Sequence, residues 1–285
     1  MHRRLHTWLD IRFWGIIPAL LWTLFFFLVP LLIMVMYSFW KLINYRVVPV
    51  WTLENYLHFF SKSFYRLSLW NSLVVTFWTV VISVLLAFPL AYTIAFKIPQ
   101  RYQRFCLIAT VVPFWTSYVI RSYSWLTVLA EKGVINSLLL RMGLLDHPFQ
   151  VVYTRTATVI GFVHFFLMLL TLTIYASLVQ IPPAYFRAAA DLGAGRIKTF
   201  CYITLPLSLP GVMVGAFLTF VITFGDYITP QILGGNRELL LSQAIMLEIQ
   251  HRVDYPMAST LGVIMMVVLG LGFWGFFKYL KAERW

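Results

Sequence analysis

Long apolar runs, separated by short polar and basic stretches, dominate this chain. Six runs are near the 20 or so residues of helix that cross a hydrocarbon core of roughly 30 Å. They fall at about 13–36, 70–96, 105–130, 157–179, 207–233 and 257–280. Inside them the apolar character does not alternate, as between Val74 and Leu86. A membrane strand alternates lipid-facing and lumen-facing residues with a period of two. Backbone polar groups find no water in lipid, so a run without alternation satisfies them as a helix. The pattern therefore predicts an all-α membrane protein with six transmembrane helices. Pro30, Pro89 and Pro113 lie within the runs and mark kinks or helix ends.

Composition supports a lipid solvent. The chain is 61% hydrophobic and 11% charged, against about 45–50% and 25% for a soluble domain. Arg3, Arg4 and Arg12 precede the first run, as in a signal peptide. The run from Phe13 to about Met36 is longer than a signal h-region and lacks a small-residue cleavage site, so it reads as the first transmembrane helix. The formal net charge is +12. The Lys and Arg are scattered at the ends of apolar runs, which fits anionic lipid headgroups and not nucleic acid. With the N-terminus inside, the cytoplasmic pieces carry twelve Lys/Arg in about 55 residues, and the outer loops nine in about 77. That bias predicts N-in, C-in. Cys106 and Cys201, the only cysteines, both fall on the cytoplasmic side, so no disulfide is expected. No metal-ligand spacing or cofactor motif is present, and no internal repeat or linker divides the chain. One membrane domain, 1–285, is expected.

The loops differ in kind. The connection at 37–69 holds Trp, Tyr and Asn and predicts a short interfacial helix. Segment 131–156 contains Gly133, Gly143 and Pro148 and is placed at the mouth of the path. Residues 97–104 form a short basic turn. The cytoplasmic loop 181–206 carries most information. Pro182 and Pro183 can open a helix, whose first-turn N–H groups are unbonded anyway. Tyr185 to Leu192 includes three alanines and favours helix. Gly193-Ala194-Gly195 permits positive φ. Arg196 to Thr204 puts Ile197, Phe200, Cys201 and Thr204 on one helical face, and Pro206 and Pro210 separate it from the fifth membrane helix. The predicted object is a helix–Gly–helix elbow that suits docking into a groove on another protein. The plainer alternative is an amphipathic loop lying on the headgroups, although such helices are usually richer in Lys/Arg.

This loop resembles that of ABC importer permeases, which has the form Glu-Ala-Ala, three residues, Gly, about nine residues, then Ile-x-Leu-Pro. Ala188, Ala189, Gly193, Ile203, Leu205 and Pro206 match it. Asp191, Leu192 and Ala194 are common in the polyamine branch. Arg187 stands where the family usually has Glu, which reverses one charge. Val112 to Trp125 and Phe224 to Gly235 look like the matching segments of the spermidine/putrescine permease family, first permease type. The resemblance implies a type I importer architecture in a bacterial inner membrane. It implies that the loop seats in a cleft of a cytoplasmic ATPase present in two copies. A second, homologous permease and a periplasmic substrate-binding protein would complete the importer. The implied substrate is a polyamine or related small cation; another small solute, such as an amino-acid derivative, is the alternative.

Rival classes find less support. No Gly-x4-Gly-Lys-Ser/Thr phosphate loop occurs, so ATP is hydrolysed by another chain and this one is not an enzyme. A membrane enzyme would need converging acids, histidines or a metal cluster. A channel or secondary transporter would work without an ATPase.

Two charges, Arg121 and Asp226, fall inside the predicted spans. Intramembrane charges are costly and point to function or to a named partner. Counted at ~1.5 Å per residue from the inner end, they lie ~24 and ~28 Å along their helices. They are therefore placed near each other at the outer side. Either they form a structural pair, or Asp226 offers a carboxylate to a cationic substrate. Trp115, Tyr118, Tyr123, Trp125 and Tyr227 surround this zone. Trp115 and Tyr118 are candidates for cation–π contact, and Tyr227 joins them on the candidate path; Trp125 is assigned to the membrane interface. His164 is expected to be a hydrogen-bonded packing residue.

Overall fold

The structure is a computed structural model that describes residues 16–235 and 238–282. Residues 13–15 of the first apolar run, and Arg3, Arg4, Arg12 and Arg284 of the charge argument, lie outside the described residues. Among the described residues five helices are long and apolar enough to cross a membrane, and a bent pair adds a sixth if counted as one span. The chain divides into two compact units, Met1–Ser63 with Ala244–Val267, and Phe64–Gln243 with Val268–Trp285.

In the first unit, α1 (Ile16–Ser38) widens into a π-turn at Leu24–Leu28, where Val29 N–H bonds Leu24 O. Pro30 follows directly. A proline removes one helical N–H and crowds the carbonyl four residues back, and a wide turn relieves both. Beyond α1 lies a hairpin of β1 (Lys41–Ile43) and β2 (Arg46–Val48), with Ile43 opposite Arg46. Asn44 and Tyr45 both have positive φ, as a two-residue type I′ turn requires. The short helix expected in this connection is α2 (Glu54–Ser61). The hairpin was not expected, because strands of three residues are too short to show alternation. Buried Ser38 is the tie point: its carbonyl accepts from Asn55 Nδ2 at 3.1 Å and from Thr260 Oγ1 at 3.1 Å.

The second unit is built on α3 (Ser63–Phe96), which starts well before the predicted residue 70. The basic turn expected at 97–104 is limited to 97–99, because α4 (Gln100–Val111) begins within it; α5 (Tyr118–Leu129) and α6 (Val134–Arg141) follow. Then follow α7 (Arg155–Leu178), α8 (Pro183–Asp191), α9 (Arg196–Gly225) and α10 (Leu241–Leu247). The last helix, α11 (Tyr255–Ala282), belongs to the first unit at its start and to the second at its end. The core of the second unit packs Phe162, Phe166 and Leu170 of α7 with Ala87 and Ala91 of α3 and Val212 of α9. Helices α7 and α9 approach closely along Gly211-x-x-x-Gly215. A Cβ on Gly211 would lie 2.5 Å from Thr173 O, and one on Gly215 would lie 2.7 Å from Leu170 Cδ2. Small residues at this spacing let helix backbones meet in a membrane, where dispersion replaces the hydrophobic effect as the driving force.

Two predicted spans are corrected. The span expected at 105–130 is broken: α4 runs into a 3₁₀ turn at Val112–Trp115, and its path bends by 89° before Tyr118. Pro113 sits in that turn, and Thr116 and Ser117 adopt extended ψ. The span expected at 207–233 begins earlier and ends at Gly225, with a separate π-turn at Pro230–Gly234. Pro206 and Pro210 do not separate the loop from this helix. A π-turn at Phe200–Thr204 directly precedes Leu205-Pro206, as the one in α1 precedes Val29-Pro30, and the helical path continues to Gly225. The depths counted along unbroken helices for Arg121 and Asp226 therefore do not apply.

Candidate functional site

Two regions of the second unit hold the candidate residues. The first is the elbow. Helix α8 opens with Pro183 after extended Pro182. It closes with Gly193 at φ +74°, whose N–H bonds Ala190 O at 2.9 Å, while Ala194 N–H bonds Ala189 O at 2.9 Å. This pair is the Schellman closure, which needs a left-handed residue that glycine supplies without a Cβ penalty. Gly195, in extended conformation, precedes α9. The helix–Gly–helix expectation is met.

Aromatic contacts hold the elbow to α3. Phe186 packs on Phe96 at 5.3 Å, and Phe200 on Phe88 and Tyr92 at 5.7 and 5.8 Å between ring centroids. Ala189 is buried, whereas Arg187, Ala188, Asp191 and Leu192 are exposed. Ile203 is half-buried and Leu205 and Pro206 are exposed. The single face expected for Ile197, Phe200, Cys201 and Thr204 is corrected. Thr204 is buried and Phe200 partly buried, but Ile197 and Cys201 face outward. The wide turn at Phe200–Thr204 changes the angular step per residue, so 3–4 spacing no longer keeps one face. The outer surface then carries Leu192 at 87% exposure and Ile197 at 80%, with Tyr185 and Tyr202 beside them.

The second region is a junction between two helix breaks. Asp226 ends α9 with extended backbone. Its Oδ1 accepts from Ile228 N–H at 2.9 Å and its Oδ2 from Thr229 N–H at 3.3 Å. The carboxylate thus caps the next turn, as Asp does at a helix N-terminus. Tyr118, the first residue of α5, donates its hydroxyl to Asp226 Oδ2, and the Thr229 hydroxyl is its second partner. Ser242 Oγ donates to Asp226 O at 2.7 Å. Gly161 on α7 admits this segment, since a Cβ there would meet Leu233 Cδ1 at 2.5 Å.

Arg121 lies one turn beyond Tyr118, yet no ion pair joins it to Asp226 among the described residues. Its guanidinium stands over Phe165 at 4.9 Å and Phe114 at 5.8 Å, and its buried Nε and Nη1 have no hydrogen-bond partner. One more turn along α5, Trp125 Nε1 donates to His164 Nδ1 at 2.9 Å. His164 is thus the hydrogen-bonded packing residue expected, and Trp125 gains an interior partner beyond its interface assignment. Trp115 is 80% exposed at the bend and Tyr227 is also exposed, whereas Tyr118, Arg121, Trp125, His164 and Asp226 are half-buried. Tyr118, Arg121, Trp125, His164 and Phe165 line a small cleft of about 10 Å³.

Thr229 and Ser242 were not singled out from sequence. An Asp after a glycine and three residues before a threonine, with Pro230 next, is the capping signal that locates Thr229; no sequence signal locates Ser242.

No family model matches the chain. Its backbone is similar to that of a bacterial ABC transporter that imports the acidic polysaccharide alginate, with a TM-score of 0.75 over 98% of both chains at 18% identity. It is also similar to the MetNI methionine ABC transporter, with a TM-score of 0.57 over 76% of this chain and 94% of that one, at 15% identity. The fold is that of an ABC importer permease, a multi-pass membrane subunit. Among sequences, the Haemophilus influenzae spermidine/putrescine transport system permease protein PotB is 31% identical over 265 residues, 92% of this chain and 91% of that protein. The Escherichia coli PotB is 29% identical over 251 residues, 88% of this chain and 90% of that protein. The Escherichia coli inner membrane ABC transporter permease protein YdcU is 30% identical over 294 residues, 96% of this chain and 87% of that protein. The chain belongs to the spermidine/putrescine permease family of ABC importers.

Proposed function

We propose that this permease forms half of the translocation path for polyamines or closely related small cations in the bacterial inner membrane. It works as one membrane domain with six spans, the third of them bent, and with both termini in the cytoplasm. A second permease completes the path, a pair of ATPase subunits supplies the energy, and a periplasmic binding protein delivers the substrate. The PotB relatives support the polyamine class. The Lys/Arg density on the inner loops supports the orientation.

One observation carries the coupling role. The elbow exposes Leu192 and Ile197 to solvent, and its second half, from Arg196, runs without interruption to Gly225, the residue before Asp226. An apolar tip that seats in a cleft of the ATPase would thus move the helix whose far end is the junction. Burying one such side chain contributes about 1.5–3 kcal/mol, so introducing a charge there weakens docking by roughly tenfold or more. The test is purification of the importer with its ATPase, for wild type and Leu192→Asp. The variant should insert and fold normally but lose most of the ATPase. Retention of the full ATPase complement, or a reporter fused after Ala194 that reads periplasmic, would overturn the docking role; the reporter result would overturn the orientation too.

A further inference from the structure

We propose that Tyr118 is a latch on Asp226, and that an ammonium group of the substrate takes the place of the Tyr118 hydroxyl when the path opens. The inference rests on the proposed cationic substrate and adds a residue that sets access to the carboxylate.

The geometry at the junction carries it. Among the described residues the Asp226 carboxylate accepts from Tyr118 OH and from the backbone N–H groups of Ile228 and Thr229, and all three donors are neutral. Neutral donors orient a carboxylate but bring no opposite charge to it. In a low-dielectric setting a carboxylate attracts a cation far more strongly than it does in water. The chain has a cation within reach of the same cluster and does not use it: Arg121 stacks on Phe165 and Phe114 instead. A purely structural carboxylate would be paired with that guanidinium. Among the described residues no cation pairs with the carboxylate, and the phenol is bonded to it.

The two bonded residues also sit at points where the helices can move. Tyr118 begins α5 directly after the 89° bend, and Asp226 begins the segment after α9 ends. The hydrogen bond therefore joins two breaks. Separating them uncovers one carboxylate oxygen while the Ile228 and Thr229 N–H groups stay on the same short segment as Asp226 and hold it in place. Tyr118 OH and Thr229 N–H already bond Asp226 Oδ2, so an amine reaches that oxygen as the two breaks separate, and exchange and opening are one event.

The test measures spermidine binding to the permease–ATPase complex in nanodiscs without the binding protein. Wild type, Tyr118→Phe, Asp226→Asn and the double variant are compared. Tyr118→Phe removes one neutral competitor and should tighten binding about two- to tenfold. Asp226→Asn removes the charge and should weaken binding at least about tenfold, and the double variant should match Asp226→Asn alone. Thr229→Val, which removes the second partner of the phenol, should tighten binding by a smaller factor and serves if Tyr118→Phe does not fold. Equal affinity of wild type, Tyr118→Phe and Thr229→Val, with Asp226→Asn weakened, would overturn the latch and leave the cation site standing. Unchanged affinity in Asp226→Asn, or no saturable binding by any protein, would overturn the cation site and the latch with it.

Discussion

The elbow and the junction interrupt helices by opposite means. At Gly193 the interruption is in the backbone: φ is +74°, and a Cβ would meet nothing within 4 Å. At Asp226 it is in the side chain: the carboxylate replaces helical hydrogen bonds and is covered by Tyr118 and Thr229. The elbow satisfies its polar groups and leaves its apolar ones open. The junction hydrogen-bonds its carboxylate, with no cation paired to it among the described residues. Each region is thus incomplete in one kind of interaction, and the kind names what it meets. On the proposed reading, an open apolar tip is completed by a protein groove, and a carboxylate with only neutral donors by a cation.

Glycines sharpen the comparison most. Gly193 is open, while Gly211 is packed against Thr173 O and Ser177 Oγ. Valine at both positions separates conformational freedom from space. Gly211→Val must push a backbone carbonyl away, and overpacking of this sort costs about 1–3 kcal/mol or more. It should abolish recovery of folded, monodisperse protein on size exclusion. Normal recovery would show that α7 and α9 do not pack through this motif.

Gly193→Val should act on coupling alone. A left-handed conformation costs a β-branched residue about 1–2 kcal/mol, and nothing around it resists the side chain. The protein should fold and insert, while substrate-stimulated ATP hydrolysis falls several-fold. Gly193→Asn should recover most of it, because Asn enters the left-handed region more readily. Equal loss in both variants would mean that a side chain of any kind blocks docking, and that the φ angle is not the cause.

The sequence made the six apolar runs legible because hydropathy reports burial in lipid directly. It was less informative about where helices break. Pro113 and Pro206 lie in similar apolar surroundings, yet one attends a bend of 89° and the other sits in a continuous helix behind a π-turn. Apolarity does not distinguish a shift of hydrogen-bond register from a stop. The elbow was legible from the prolines at its start and the glycines at its centre, both of which act through local backbone geometry. Its outward face was not, because the π-turn changes the phase that helical spacing assumes. At the junction, charge led the sequence argument to Arg121 and Asp226. The neighbourhood it inferred exists, since α5 does reach Asp226. The partner is a neutral phenol one turn before the arginine, and counting opposite charges cannot find it.

The smallest effect tests where the junction ends along α5. Trp125 lies two turns beyond Tyr118 and gives its indole N–H to His164 Nδ1, a contact with no uncompensated charge. By the contrast drawn above, a satisfied neutral pair is packing and has no part in transport. Trp125→Phe keeps an aromatic ring and removes the donor, leaving the imidazole nitrogen unpaired. That should cost about 0.5–1.5 kcal/mol and lower the midpoint of thermal unfolding by a few degrees, roughly 2–4 °C per kcal/mol for a chain near this size. Spermidine binding should stay within about twofold of wild type, the margin below which one neutral hydrogen bond is not resolved. A change of tenfold in binding, with the unfolding midpoint unmoved, would place Trp125 on the path. The junction would then extend along α5 from Tyr118 through Arg121 to Trp125, and the stacked guanidinium in its middle would be a second charge exposed on opening.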